Sequence, residues 1–179
     1  DALAVGLSYA NQPTNWFAFG ITAKYVRERI SVYESNNLIL DIGMVYLTRF
    51  RTLRIGGYIQ NFGVDSKYIG DTFKMPMIFR LGATMELLGD TNAPNRLTVA
   101  VDALHPSDYS ERLHVGAEGW LQNLIALRVG YKFNYDEEGL TAGLGIKWKM
   151  SQNQLALDLA YTDYSRLESV LRVSLNAQF

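Results

Sequence analysis

Residues 125–148 read IALRVGYKFNYDEEGLTAGLGIKW. In the first half Ile125, Leu127, Val129, Tyr131 and Phe133 are apolar, and Arg128, Gly130 and Lys132 fall between them. After the polar link NYDEE the alternation resumes with Leu140, Ala142, Leu144, Ile146 and Trp148. Gly143, Gly145 and Lys147 take the alternate places. A period of two is the signature of a strand with one apolar face, and two such runs around a short polar link form an antiparallel hairpin.

The same phrase recurs outward in both directions and divides the chain into eleven alternating segments. Toward the carboxy terminus come Leu155, Leu157, Leu159 and Tyr161, then Leu171, Val173, Leu175, Ala177 and Phe179. Toward the amino terminus come Leu113, Val115 and Ala117, then Leu97, Val99, Val101 and Ala103, then Met77, Phe79, Leu81, Ala83, Met85 and Leu87. A weaker segment carries Leu53, Ile55, Gly57 and Ile59. The first three are Leu3, Val5, Leu7 and Tyr9; Phe17, Phe19, Ile21, Ala23 and Tyr25; and Leu38, Leu40, Ile42, Met44 and Tyr46.

No charge falls on these positions. The opposite face carries Lys24, Asp41, Arg54, Arg80, Glu86, Asp102, His114, Glu118, Arg128, Lys132, Lys147, Asp158 and Arg172. A soluble sandwich also alternates. The segments here run about 9–11 residues, the length of a tilted membrane strand, whereas globular strands are typically about 5–6. A Lys or Arg facing lipid at mid-bilayer costs roughly 2–4 kcal/mol, so one clean face on every strand is what a transmembrane barrel requires. The expectation is an all-β, transmembrane, antiparallel up-and-down barrel with the charged residues facing its lumen.

The connections point the same way. Barrels alternate short periplasmic turns with longer external loops. With the carboxy terminus at the periplasm, the turns at 11–15, 49–51, 89–95, 122–123 and 150–153 fall inside. The set at 27–37, 63–76, 105–111, 136–138 and 163–169 falls outside and contains the longest connections. Aromatic residues gather near strand ends, among them Tyr9, Trp16, Phe17, Tyr25, Tyr46, Phe62, Trp120, Phe133, Trp148 and Tyr161, as in the two girdles of a barrel. Glycines on the charged face, including Gly43, Gly116, Gly130, Gly143 and Gly145, leave room for long charged neighbours or serve wall curvature.

Composition is consistent with this. Net charge is -1 and gives no reason to expect nucleic acid. There is no Cys, so disulfides and thiolate metal sites are excluded. Hydrophobic content is 48%, without a run of the length a membrane helix needs.

Enzymatic chemistry is not expected. His114 and Glu118 lie on one face about 13 Å apart at ~3.3 Å per residue, too far for a base and its orienting group. His105, Ser107, Asp108 and Ser110 share a loop whose composition suits turns. Asp136, Glu137 and Glu138 could offer oxygen ligands to a cation but read as a solvated loop tip. No cofactor and no metal site is expected.

Residues 100–120 (AVDALHPSDYSERLHVGAEGW), 125–148 and 158–179 (DLAYTDYSRLESVLRVSLNAQF) resemble the PorV/PorQ family of outer-membrane proteins. Residues 21–30 (ITAKYVRERI) and 40–63 (LDIGMVYLTRFRTLRIGGYIQNFG) look like the same family. The terminal alternating strand ending in Phe179 looks like the signal read by the bacterial barrel-assembly machinery. The resemblance implies a barrel related to FadL with fourteen strands, located in the bacterial outer membrane. It implies a part in type IX secretion, taking cargo from the translocon to surface attachment. Its partners would be membrane lipids and secretion-system proteins or secreted cargo. A FadL-like channel for hydrophobic small molecules is the alternative. With eleven segments, residues 1–179 would form a single β-barrel domain, the carboxy-terminal portion of that parent, its amino-terminal strands missing. The longest connection, 63–76, carries Tyr68, Ile69, Phe73 and Met75 and is the expected partner-binding element; the other reading is that it folds inward over the lumen.

Overall fold

The computed structural model describes residues 1–30, 33–64, 66–68, 71–150, 153–166 and 168–178, with backbone alone for 30, 33, 66–68 and 71–73. These residues form strands and turns, with no helix among them. In chain order the strands are β1 (Ala2–Thr14), β2 (Phe17–Ile30), β3 (Tyr33–Leu47), β4 (Arg54–Gly63), β5 (Ser66–Tyr68), β6 (Asp71–Phe73), β7 (Ile78–Leu88), β8 (Arg96–Pro106), β9 (Arg112–Leu121), β10 (Ile125–Phe133), β11 (Glu138–Met150), β12 (Asn153–Tyr164) and β13 (Val170–Gln178).

Eleven of them make one antiparallel up-and-down sheet in the order β1-β2-β3-β4-β7-β8-β9-β10-β11-β12-β13. Each expected segment is one strand of this sheet. The order is open, and no pairing joins β1 to β13 among the described residues. The chain divides into two compact units. The first holds Asp1–Thr48, Arg54–Gly82 and Leu104–Glu111; the second holds Arg49–Leu53, Ala83–Ala103 and Arg112–Phe179.

Antiparallel register puts directly opposed residues on the same face. In the first unit the rungs Val5–Tyr25–Leu38, Leu7–Ala23–Leu40–Phe62 and Tyr9–Ile21–Ile42–Ile59 run across β1 to β4. In the second, Leu127–Leu144–Leu159–Val173 and Ala117–Val129–Ala142–Tyr161–Leu171 run across β9 to β13. Alternation in the sequence has become continuous apolar rows. These rows are not a core. Leu7 is 80% exposed, Val129 54% and Val173 63%, while the buried apolar residues among those described are Ile39 and Ala126.

Several connections differ from expectation. The region 27–37 is mostly paired backbone, with Arg27 opposite Asn36 and Arg29 opposite Glu34, so β2 and β3 extend well past the expected loop ends. Polar residues at 27–29 and 34–37 mask the continuation, because alternation ends there while backbone pairing does not. β1 likewise runs on to Thr14 across an irregularity after Asn11. The 63–76 connection contains the small hairpin β5–β6, and β5 approaches β3. At 122–123 the turn is as read. Gln122 and Asn123 have φ of 52° and 54°, and the Leu124 N–H donates to the Leu121 carbonyl at 2.9 Å. With Leu121 opposite Ile125, three residues separate the strands, and the two positive φ angles at the centre of the turn suit the right-handed twist of the strands it joins.

The weak fourth segment has a local cause. Leu40 opposes Phe62 and Ile42 opposes Ile59, so Gln60 and Asn61 together face Asp41. This is a β-bulge. Asn61 has φ of 59°, and its N–H donates to Asp41 Oδ1 at 2.9 Å. The extra residue reverses the phase of β4, which returns Phe62 to the apolar row.

Candidate functional site

The charged residues converge on the face opposite the apolar rows. In the second unit a rung runs Glu118–Arg128–Gly143–Ala160–Arg172 across β9 to β13. The rungs beside it hold Trp120, Ala126, Gly145 and Asp158 on one side, and Gly116, Gly130 and Thr141 on the other. Lys132 opposes His114, and Lys147 opposes Ala156. This face lines a cleft of about 700 Å3 reached by residues of β8 to β12, Asp102 among them.

Arg128 is the hub. Its Nε donates to Glu118 Oε2 at 2.7 Å and its Nη1 to Asp158 Oδ1 at 2.6 Å. The planar guanidinium can serve two carboxylates at once where an ammonium would act as a point charge. Trp120 Nε1 donates to the other oxygen, Glu118 Oε1, at 2.6 Å. The Trp120 ring lies 4.9 Å from the Arg96 guanidinium and 5.7 Å from that of Arg128. Arg96 Nη1 also donates to Asn123 Oδ1 at 2.6 Å, tying this cluster to the β9–β10 turn. Gly145 leaves the space the network needs. A Cβ there would lie 2.7 Å from Asp158 Oδ1 and 2.9 Å from Arg128 Nη1.

A second cluster sits where β9, β10 and β11 meet their connection. His114 Nε2 and the Tyr135 hydroxyl are 2.8 Å apart, and Lys132 is ion-paired with Glu138. The Arg112 guanidinium lies 4.3 Å from the Tyr135 ring centre. The first unit repeats the theme. Lys24 Nζ is 2.5 Å from Asp41 Oδ2, and Arg80 lies 5.7 Å from the Tyr58 ring centre. Arg54 opposes Leu47 and shares the face of Asp41. Glu86 is buried near the end of β7.

Trp120 is a correction. It shares the polar face with Glu118, two residues away, so it is no member of an aromatic belt on the apolar side. Its place in the Gly116, Glu118, Trp120 phase was the available signal. Thr52 carried no signal at all. Its hydroxyl accepts the Glu86 N–H at 2.9 Å and lies 3.4 Å from the Glu86 carbonyl. A turn side chain thus stands in for a strand partner.

The remaining candidates have separate partners. His105 Nδ1 lies 3.2 Å from Glu111 Oε1, whereas the Ser107 hydroxyl bonds Asp108 at 3.0 Å. A hydrogen bond from its own backbone, then the charge of His105, holds the Glu111 carboxyl below the usual carboxylate range. Glu137 Oε2 accepts the Arg166 N–H at 3.2 Å, while Glu138 faces Lys132. Of the four expected partner-binding residues, Ile69 and the side chains of Tyr68 and Phe73 lie outside the described residues. Met75 is half-buried, and its carbonyl accepts the Met77 N–H at 2.7 Å.

No family model matches the chain, and no curated protein matches it.

Proposed function

We propose that this chain is the membrane-spanning wall of an outer-membrane barrel of PorV/PorQ type, non-enzymatic and acting in protein secretion as a cargo shuttle or translocon accessory. The observation that carries the membrane reading is the exposed apolar surface. Leu7, Leu127, Val129, Val173 and Leu175 are each more than half exposed and belong to continuous apolar rows. Soluble monomers rarely show contiguous apolar patches beyond a few hundred Å2. A bilayer would cover these rows, and on the opposite face Lys24 pairs with Asp41, Arg128 with Glu118 and Asp158, and Lys132 with Glu138. In lipid an open sheet edge is costly, so the reading requires the free edges of β1 and β13 to be paired in the assembled protein.

The secretion role rests on the resemblance of residues 100–120, 125–148 and 158–179. A channel for apolar solutes would need an apolar lining. The described cleft mixes Asp102, His114, Glu118, Arg128, Lys132 and Asp158 with Val115, Val129, Leu159 and Tyr161, so its lining does not separate the two readings. The 63–76 connection, with Tyr68, Ile69, Phe73 and Met75, is the proposed partner contact.

The test is affinity purification of the tagged protein from native outer membranes, with and without residues 65–74. Co-purification of translocon or secreted proteins that is lost with the loop is the expected result. A barrel that retains fatty acid and no protein partner would favour the channel.

A further inference from the structure

The β2–β3 hairpin shows where a bilayer would begin and end on this protein. The apolar side of the hairpin has five successive rungs: Phe17–Tyr46, Phe19–Met44, Ile21–Ile42, Ala23–Leu40 and Tyr25–Leu38. Both ends of this band are marked. At one end the Trp16 ring meets Tyr46 edge-on at 5.6 Å, and Phe17 stacks on Phe19 at 6.2 Å. At the other, the Tyr25 hydroxyl donates to Asn36 Oδ1 at 2.7 Å. Beyond Tyr25 the same row turns polar. Arg27 opposes Asn36, Arg29 opposes Glu34, and Arg27 Nη2 lies 2.9 Å from Glu34 Oε2.

From Phe17 to Tyr25 is about 26 Å along the strand at ~3.3 Å per residue. A tilt of roughly 40° brings that to about 20 Å of height, close to the ~25 Å apolar band of membrane barrels. Tyr and Trp favour the headgroup level because their rings are apolar and their tips polar. An Arg and a Glu on the lipid-facing side have no favourable place inside the band.

We infer that the two bilayer interfaces cross this hairpin at Trp16–Tyr46 and at Tyr25–Asn36, and that the paired backbone beyond Tyr25 projects from the membrane with its Arg27–Glu34 face in water, while Ser35 and Asn37 on its other face are buried against protein. The partner of the band is the phospholipid bilayer. This rests on the membrane reading above and adds the depth of insertion.

The natural absence of cysteine makes a depth scan direct. Single variants Phe19→Cys, Ile21→Cys, Ala23→Cys, Tyr25→Cys and Arg27→Cys of the full chain would be spin-labelled in phosphatidylcholine vesicles. Collisions with oxygen and with a water-soluble nickel chelate would then be compared. The oxygen preference should peak at position 21, fall toward 19 and 25, and reverse at 27, with nickel access rising several-fold between 21 and 27. A preference still rising at 27 would overturn the boundary while leaving the membrane reading intact. Low access to both reagents at 19 would show protein, such as a second copy, covering the cluster, and would also overturn it. Nickel access at every position would sink both readings. Unlabelled protein gives an independent check. The emission removed by Trp16→Phe should be quenched more by lipids brominated near the headgroup than by those brominated near the chain end; the reverse order refutes the boundary.

Discussion

Gly145 and Thr52 show how single residues decide the polar face. At Gly145 an added methyl would meet Asp158 Oδ1 at 2.7 Å and Arg128 Nη1 at 2.9 Å, displacing an ion pair whose side chains are each about one-third exposed. Gly145→Ala should therefore destabilise the protein by about 1–2 kcal/mol, allowing for solvent screening of that pair. Gly119→Ala, with nothing within 4 Å of its added methyl, should be close to neutral. Urea midpoints in vesicles give the comparison, and in an Asp158→Ala background the cost of Gly145→Ala should shrink. Thr52→Val keeps the shape of the side chain but removes the acceptor for the buried Glu86 N–H, a loss of about 1–3 kcal/mol. Thr52→Ser should recover most of it. The sequence made the glycine visible as a gap on a charged face. It could not show which pair fills that gap, since Arg128 and Asp158 are 30 residues apart. Thr52 was invisible because a turn threonine is ordinary until its partner strand is known.

At the scale of the strand, a period of two locates every element of the main sheet, because each strand has one apolar side to be read. It fails where polar residues continue a ladder, as at 27–30, and where the phase reverses, as in β4. The bulge at Gln60 and Asn61 makes one residue of that strand surplus to its pairing. Deleting Asn61 would let Gln60 oppose Asp41 and leave Ile59 and Phe62 on the same face as before. Folding yield into vesicles should stay near the wild-type level for this deletion. Deleting Gly57 would reverse every residue on one side of the cut and should abolish insertion. Equal yields for the two deletions would contradict the register.

Across the whole molecule the two faces make opposite demands. Val173 and Ser174 are neighbours on β13; Val173 lies in the apolar row with Leu159, and Ser174 opposes Asp158. On the proposed membrane reading, Val173→Arg should cost roughly 2–4 kcal/mol of stability in vesicles. Ser174→Arg, placed beside a carboxylate, should cost less than about 1 kcal/mol. Gly143 is a poor choice for the mild partner in such a comparison, because a side chain there begins 3.3 Å from Arg128 Cβ. The strand order also carries a kinetic meaning. Each strand of the main sheet neighbours the one before it in that sheet, so each new ladder closes a short loop, and closure entropy rises only with the logarithm of loop length. Sheets of such local pairing need not wait for distant segments to meet. The slowest rung should be β4 to β7, which must close over the 64–77 connection. In pulse-labelled hydrogen exchange during refolding, amides of β9 and β10, joined by their tight turn, should gain protection before those of β4. Simultaneous protection throughout would mean that the sheet forms in one concerted step rather than by growth from hairpins.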